Sequence, residues 1–303
     1  MTKDFLQITD FTADEIKGTF DIAEKLKKGD SSYSNILKGK TVACIFHKPS
    51  LRTRISFETG IYELGGYSLY ITDKEIELGV RESIYDAAKV LSRFVGIITI
   101  RTFEHALVEQ LAEHAEIPVI NALTDLTHPC QVMGDIFTAK EHLGKVDNLK
   151  IAYLGDGNNV CNSWLNLASR IPMDLRIGTS PDTLPDEVTF NRARDAGIST
   201  ITVTQDASLA VADADVIYTD VWASMGQKHL ADHKIQLLRE FQVNDELVSK
   251  ASPNCIVMHC LPANRGQEIT DSVMDGKHSV VFDEAENRLH IQKAIMVQLM
   301  GRR

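Results

Sequence analysis

The chain has few cysteines, and no arrangement of them marks a disulfide framework or a metal site. The five, Cys44, Cys130, Cys161, Cys255 and Cys260, are scattered, odd in number and lack metal-ligand spacing. They read as small core residues in a reducing compartment, so the cytoplasm is the expected location. A basic excess is missing too. Lys and Arg number 32 against 42 Asp and Glu, a formal net charge of −10, whereas nucleic-acid binders usually present a basic surface. A few local arginines can still dominate a pocket for an anionic substrate. No apolar run approaches membrane-spanning length, and Met1-Thr2-Lys3-Asp4-Phe5 has no apolar signal core, so neither nucleic acid nor membrane is an expected partner. No internal repeat or low-complexity tract is visible. A complete dinucleotide fingerprint is also lacking. Gly155-Asp156-Gly157-Asn158-Asn159 has no third glycine, and no acidic residue is marked on the next strand, which argues against NAD.

What is present suits a globular α/β protein. A length of 303 residues, 44% hydrophobic and 24% charged, allows two domains, each with its own core. Thr12-Ala13-Asp14-Glu15 is a capping-box pattern opening a helix to about Lys28. Buried strands are expected at Thr41–Phe46, Tyr67–Ile71, Gly96–Ile100 and Pro118–Ile120. Helices are expected between them, with a polar loop over Thr72–Arg81. Pro129 opens a long helix to about Leu143. Gly144-Lys145-Val146-Asp147-Asn148 is the expected boundary. A second series of strands follows at Lys150–Leu154 and near Leu175–Ile177, Ile201–Val203, Asp215–Tyr218 and Cys255–His259. A final helix, about Ala285–Met300, is long enough to pack back on the first domain. This alternation predicts two domains, 1–144 and 145–284 with 285–303 returning to the first, each with a central, mainly parallel sheet flanked by helices.

In open parallel sheets, ligands bind beyond the carboxyl ends of the strands. Ser50–Arg54, Arg101, His128, Asn159, Asp220 and His259-Cys260-Leu261-Pro262 all follow expected strands. Polar groups at six strand ends in two domains point to one interdomain cleft. Ser50 through Thr53 lie where a strand ends and a helix begins, with unpaired N–H groups, two hydroxyls and two guanidiniums able to surround a phosphate. An N-cap serine beside solvated arginines is the plainer alternative. Arg54 fits a structural salt bridge as well as an anion contact, Arg288 a helix cap, and His128 an ordinary loop histidine. Gln131 projects one turn on from His128. Asp220 and Ser224, on a loop closed by Gly226, can hold the ammonium and carboxylate of an amino acid. Trp222 and Met225 suggest that this loop closes over a ligand. Cys260 beside His259 invites a nucleophile reading, but no base is marked for it, and a non-covalent lining role fits better.

Together, Ser50-Leu51-Arg52-Thr53-Arg54, His128-Pro129-Cys130-Gln131, Asp220…Ser224-Met225-Gly226 and His259-Cys260-Leu261-Pro262 resemble the carbamoyltransferase family, and within it the ornithine-using branch. The resemblance runs from Phe5 to Gly301, with the motifs in the family's order. It implies transfer of a carbamoyl group from carbamoyl phosphate to the side-chain amine of L-ornithine, giving L-citrulline and phosphate in arginine metabolism, without metal or organic cofactor; a carbamoyltransferase for another amine, such as putrescine or an acylated ornithine, and a catalytically silent ligand-binding paralogue are the alternatives. Ser50, Leu51 through its backbone, Arg52 and Thr53 would bind the phosphate. Arg101, His128 and Gln131 would hold the carbamoyl end, completed by Arg288 and the Leu261 carbonyl. Asn159, Asp220, Ser224 and Met225 would bind ornithine, with Cys260 near its reacting amine. The catalytic set so implied is Arg52, Arg101, His128 and Cys260. The family forms homotrimers, or multiples of them, with active sites at subunit boundaries.

Two departures stand out. Leu51 replaces the usual threonine, harmlessly if only its N–H is used. Glu77 replaces a glutamine that in relatives reaches the phosphate from a neighbouring subunit. A carboxylate there repels a phosphate, by a few kcal/mol if unscreened. Displacement of the loop, compensation by Lys74 or Arg81, and weaker phosphate binding are the three outcomes left open. The central role given to the Ser50–Arg54 turn makes a prediction. Arg52→Gly should lower turnover by orders of magnitude with an unchanged circular dichroism spectrum, and near-normal kinetics would remove that role.

Overall fold

The computed structural model describes residues 4–223 and 231–301. The chain divides into two compact units, Met1–Gly134 with Asn287–Arg303, and Asp135–Glu286. In chain order the first unit contains α1 (Ala13–Lys27), β1 (Thr41–Phe46), α2 (Leu51–Glu63), β2 (Tyr67–Thr72), α3 (Asp73–Ile76), α4 (Ile84–Phe94), β3 (Ile97–Arg101), α5 (His105–His114), β4 (Val119–Leu123) and the start of α6 (Pro129–Leu143). The second continues with β5 (Leu149–Leu154), α7 (Asn159–Ala168), β6 (Met173–Gly178), α8 (Glu187–Asp195), β7 (Thr200–Thr204), α9 (Ala207–Val211), β8 (Val216–Thr219), α10 (Ala231–Leu238), α11 (Asp245–Val248), β9 (Ile256–His259), α12 (Asp271–Met274) and the start of α13 (Val281–Met300).

Both sheets are parallel. The first has order β2-β1-β3-β4 and the second β7-β6-β5-β8-β9. Central strands β1, β3, β5 and β8 are almost wholly buried, as expected when helices cover both faces of a sheet. In the first unit, Ile45, Ile98, Ile100 and Val119 pack with Val108 and Leu111 of α5. In the second, Leu154, Ile217 and Val257 pack with Leu238, Phe241 and Val281.

Three local features depart from the sequence expectation. β4 runs through Leu123 because the donors of its polar Asn121 find acceptors inside the core. Asn121 Nδ2 donates to the Leu6 carbonyl (2.9 Å) and to Thr127 Oγ1 (3.1 Å), while its N–H donates to the Phe5 carbonyl (2.9 Å). The stretch expected as a polar loop holds the single turn α3, closed by Glu75 Oε2 accepting from the Thr72 N–H at 2.6 Å. The last helix starts at Val281, with Asp283 and Glu284 in its first turn, where the helix dipole favours acidic groups. Trp222 differs as well. It is 2% exposed and belongs to the apolar core of the second unit, so it anchors its segment rather than covering a ligand.

The turn after β5 has no room for a side chain at Gly157. A Cβ there would lie 2.3 Å from Pro185 N and 2.4 Å from Leu184 C, both backbone atoms, and the Gly157 N–H donates to the Thr183 carbonyl at 2.8 Å. Gly157→Ala should therefore cost about 3 kcal/mol, read as a lowered midpoint in urea denaturation; an unchanged midpoint would contradict the close approach.

Candidate active site

In the first unit, the end of β1 leads into Ser50, the N-cap of α2. Its hydroxyl accepts from the Thr53 N–H at 3.4 Å and donates to Thr53 Oγ1 at 3.0 Å. Thr53 Oγ1 is a meeting point. Arg288, from α13, donates to it through Nη2 at 2.9 Å, and Arg101, the last residue of β3, through Nη1 at 3.5 Å. Thr53, Arg101 and Arg288 are all buried. Arg288 can come this close because Gly134 of α6 faces it; a Cβ at Gly134 would meet Arg288 Cγ at 3.3 Å.

His128, at the start of α6, is also buried. Desolvation holds its pKa well below the ordinary histidine value, and the positive charges of Arg288 and Arg101 push it the same way. The ring is therefore neutral, keeping one N–H donor and one acceptor. Gln131, buried in the first turn of α6, donates its N–H to the His128 carbonyl at 3.1 Å. Arg52 lies half-buried in the first turn of α2, and Leu51 points outward, 71% exposed. Arg54 resolves toward structure: its Nε is 2.9 Å from Glu58 Oε1, and its guanidinium lies 3.8 Å over the Tyr70 ring. Glu77 caps α3 in the left-handed conformation, φ 41°, and is exposed. It makes no side-chain hydrogen bond or ion pair to another described residue.

The second unit gathers a different set. Asp220 follows β8 and is buried; its Oδ2 accepts from Asn158 Nδ2 at 2.8 Å. Its Oδ1 accepts from Cys260 Sγ at 2.9 Å and from the Val221 N–H at 2.8 Å. Asn158 is the N-cap of α7, accepting from the Val160 and Cys161 N–H groups. Asn159 is the first helical residue and half-buried. Ser224 and Met225 lie outside the described residues.

The motif after β9 is held from behind. His259 is fully buried, its Nε2 is 3.1 Å from Glu268 Oε1, and its Nδ1 accepts from the Leu261 N–H at 2.9 Å. Nε2 is thus the protonated nitrogen, donating to Glu268. Leu261 takes φ 58°. Asp220, His259 and Cys260 place ligand-type atoms within 4.8 Å of one another, but Cys260 is hydrogen-bonded to Asp220 and both His259 nitrogens are committed to Glu268 and the Leu261 N–H.

Sequence reasoning did not identify Asn158, Glu268 or the support given by Gly134. Asn158 carried a signal: an asparagine directly before an apolar helical run is an N-cap pattern. Glu268 carried none.

Burial raises the Cys260 thiol well above its usual pKa, and the adjacent Asp220 carboxylate adds to that. Iodoacetamide should therefore alkylate Cys260 slowly at pH 8. Asp220→Asn should speed the reaction about threefold or more, followed by peptide mass spectrometry, since a more acidic thiol yields more thiolate. An equal or slower rate in that variant would contradict the coupling.

Comparison with known proteins adds a separate line of observation. The family model described as aspartate/ornithine carbamoyltransferase, carbamoyl-P binding domain, matches residues 3–141, and its Asp/Orn binding domain partner matches residues 147–299. The chain is 49% identical to an ornithine carbamoyltransferase of Carboxydothermus hydrogenoformans, covering 99% of this chain and 98% of that protein. It is 48% identical to the Chlorobaculum tepidum protein of the same name, covering 99% and 90%. Among solved structures, the ornithine carbamoyltransferase of Pyrococcus furiosus superposes with a TM-score of 0.93 at 44% identity, over 98% of this chain and 97% of that one.

Proposed function

Because the chain belongs to the aspartate/ornithine carbamoyltransferase family, we propose that it transfers the carbamoyl group of carbamoyl phosphate to the side-chain amine of L-ornithine, giving L-citrulline and phosphate. The observation that carries this reading is the convergence of Ser50, Arg101 and Arg288 on Thr53 at the N-terminus of α2, beside a neutral His128. Such a nest of donors and positive charge suits a compact oxyanion with several acceptor oxygens.

In this reading, residues 1–144 with 285–303 serve carbamoyl phosphate, and residues 145–284 serve ornithine. Ser50, the Leu51 N–H, Arg52 and Thr53 hold the phosphate. Arg101, His128, Gln131 and Arg288 hold the carbamoyl end, with the Leu261 carbonyl accepting from its amide. Asp220 takes the α-ammonium of ornithine, Asn159, Ser224 and Met225 the rest of its polar end, and Cys260 lines the reacting amine.

The side-chain amine of ornithine resembles lysine, with a pKa of about 10.4, and arrives protonated. It must lose a proton before attack. Its lone pair then adds to the carbamoyl carbon, the C=O electrons move onto oxygen, and Arg101, His128 and Thr53 stabilise that charge. Collapse expels phosphate, which Arg52 stabilises and which takes up one of the two protons on the attacking nitrogen, the other staying as the N–H of citrulline. Cys260 stays a thiol throughout, as its raised pKa requires.

A homotrimer, or a multiple of one, working in the cytoplasm in arginine metabolism completes the reading. Large exposed apolar side chains on the first unit support self-association, among them Tyr62 (80%), Val80 (88%) and Tyr67 on the edge strand β2 (66%). The test is citrulline formation from carbamoyl phosphate with ornithine, putrescine or N-acetylornithine as acceptor. Ornithine is expected to be preferred by at least about 10²-fold in kcat/KM, since an acceptor lacking a group leaves buried polar partners unmatched. Preference for either other amine, or no citrulline at all, would overturn the reading.

A further inference from the structure

Arg288 reaches Thr53 from α13, and the contact forms only if α13 sits at one height along α2. Arg288 Nη2 donates to Thr53 Oγ1 at 2.9 Å. That single hydrogen bond is a weak hold, because Arg101 donates to the same oxygen at 3.5 Å and two guanidiniums repel. Other residues of α13 must keep the helix in place.

About two turns further along α2 from Thr53, Lys293 does so. A Cβ at Gly60 would lie 2.9 Å from Lys293 Cγ and 3.7 Å from Lys293 Cδ, so the lysine stem lies against the bare backbone of α2. Glycine is a poor residue for a helix interior, and here it is the condition for that approach. The stem ends in an ion pair between Lys293 Nζ and Glu63 Oε2, with the side chains 4% and 43% exposed. Glu63 is the last residue of α2, where the helix dipole disfavours a carboxylate, so the lysine charge is well placed there. Two further contacts tie α13 to α1. Lys27 Nζ donates to Asn287 Oδ1 at 2.8 Å, and Thr19 Oγ1 donates to Gln298 Oε1 at 2.8 Å. The Lys293 pair differs from these in joining α13 to the helix that carries Thr53.

Resting on the assignment of Arg288 and Thr53 to carbamoyl phosphate, we propose that Lys293 is a positioning residue for that substrate: ion-paired to Glu63 and laid across Gly60, it sets the register of α13 on α2 and so delivers the Arg288 guanidinium to Thr53. Without the pair, repulsion between Arg288 and Arg101 draws α13 out of register. A displacement of about 1 Å is enough to lower catalysis heavily.

Steady-state kinetics with each substrate varied, alongside thermal melting, separates this role from simple helix packing. Lys293→Met keeps an unbranched stem against Gly60 and removes the pair. It should raise the carbamoyl phosphate KM about tenfold, lower kcat about threefold or more, and leave the ornithine KM within about twofold. Lys293→Arg should keep the carbamoyl phosphate KM within about twofold of the parent's, whatever its melting temperature, since guanidinium also pairs with carboxylate. Glu63→Ala, at the more exposed end of the pair, should raise the same KM about threefold. If Lys293→Met does not fold, as judged by thermal melting, Glu63→Ala and Lys293→Arg carry the test. A lowered melting temperature with an unchanged carbamoyl phosphate KM, equal rises in both substrates' KM, or a rise in Lys293→Arg as large as in Lys293→Met would each overturn the proposal. A parent enzyme that makes no citrulline overturns the functional reading and this proposal together. An active parent whose carbamoyl phosphate KM is unmoved by Lys293→Met and by Glu63→Ala overturns this proposal alone.

Discussion

The first unit depends on one hydroxyl oxygen, Thr53 Oγ1, at which two guanidiniums from distant segments meet. Burying Arg101 and Arg288 this close together is electrostatically unfavourable without an anion to share them. The strain is visible in their neighbour: His128 is driven further toward its neutral form by the same two charges. The helix dipole of α2 adds to the positive potential, and Ser50 orients the first turn by capping it. Donors fixed in place ahead of any ligand are the condition under which developing negative charge is stabilised most effectively.

The second unit has the opposite sign. Among the described residues, the donors to Asp220 are neutral, and burial, with the Asp220 field, raises the Cys260 thiol well above its usual pKa. Tyr153 and Tyr218, fully buried below, are likewise held far from ionisation, first by burial and then by nearby acids. A cationic group is the natural occupant of such a place, and an additional anion is not. Asp156, on the turn after β5, is paired with Lys234 of α10 at 2.6 Å.

Much of this could be read along the chain because local rules act locally. Alternating apolar runs and helical spacings gave strands and helices within a few residues of their observed ends, and parallel pairing followed from their order. Where expectation and structure diverge, a distant partner intervenes. Asn121 looked like a loop residue until Phe5 and Leu6 supplied its hydrogen bonds. Trp222 looked like a lid until its neighbours proved to be core residues from β5, β8 and α10. Glu268 was invisible because a carboxylate earns no local signature by holding a histidine nine residues away.

By itself, then, the amino-acid order determined the alternating α/β plan, the strand-end motifs and the family they belong to, since each depends on near neighbours and periodicity. The choice among alternatives for single side chains came only with tertiary structure. Arg288 became a donor to Thr53 across 235 positions, Arg54 turned to Glu58 and Tyr70, and Lys234 found Asp156 78 positions away. The reason is electrostatic: a charged side chain's role is set by which opposite or like charges the fold buries beside it, and sequence spacing carries no record of that.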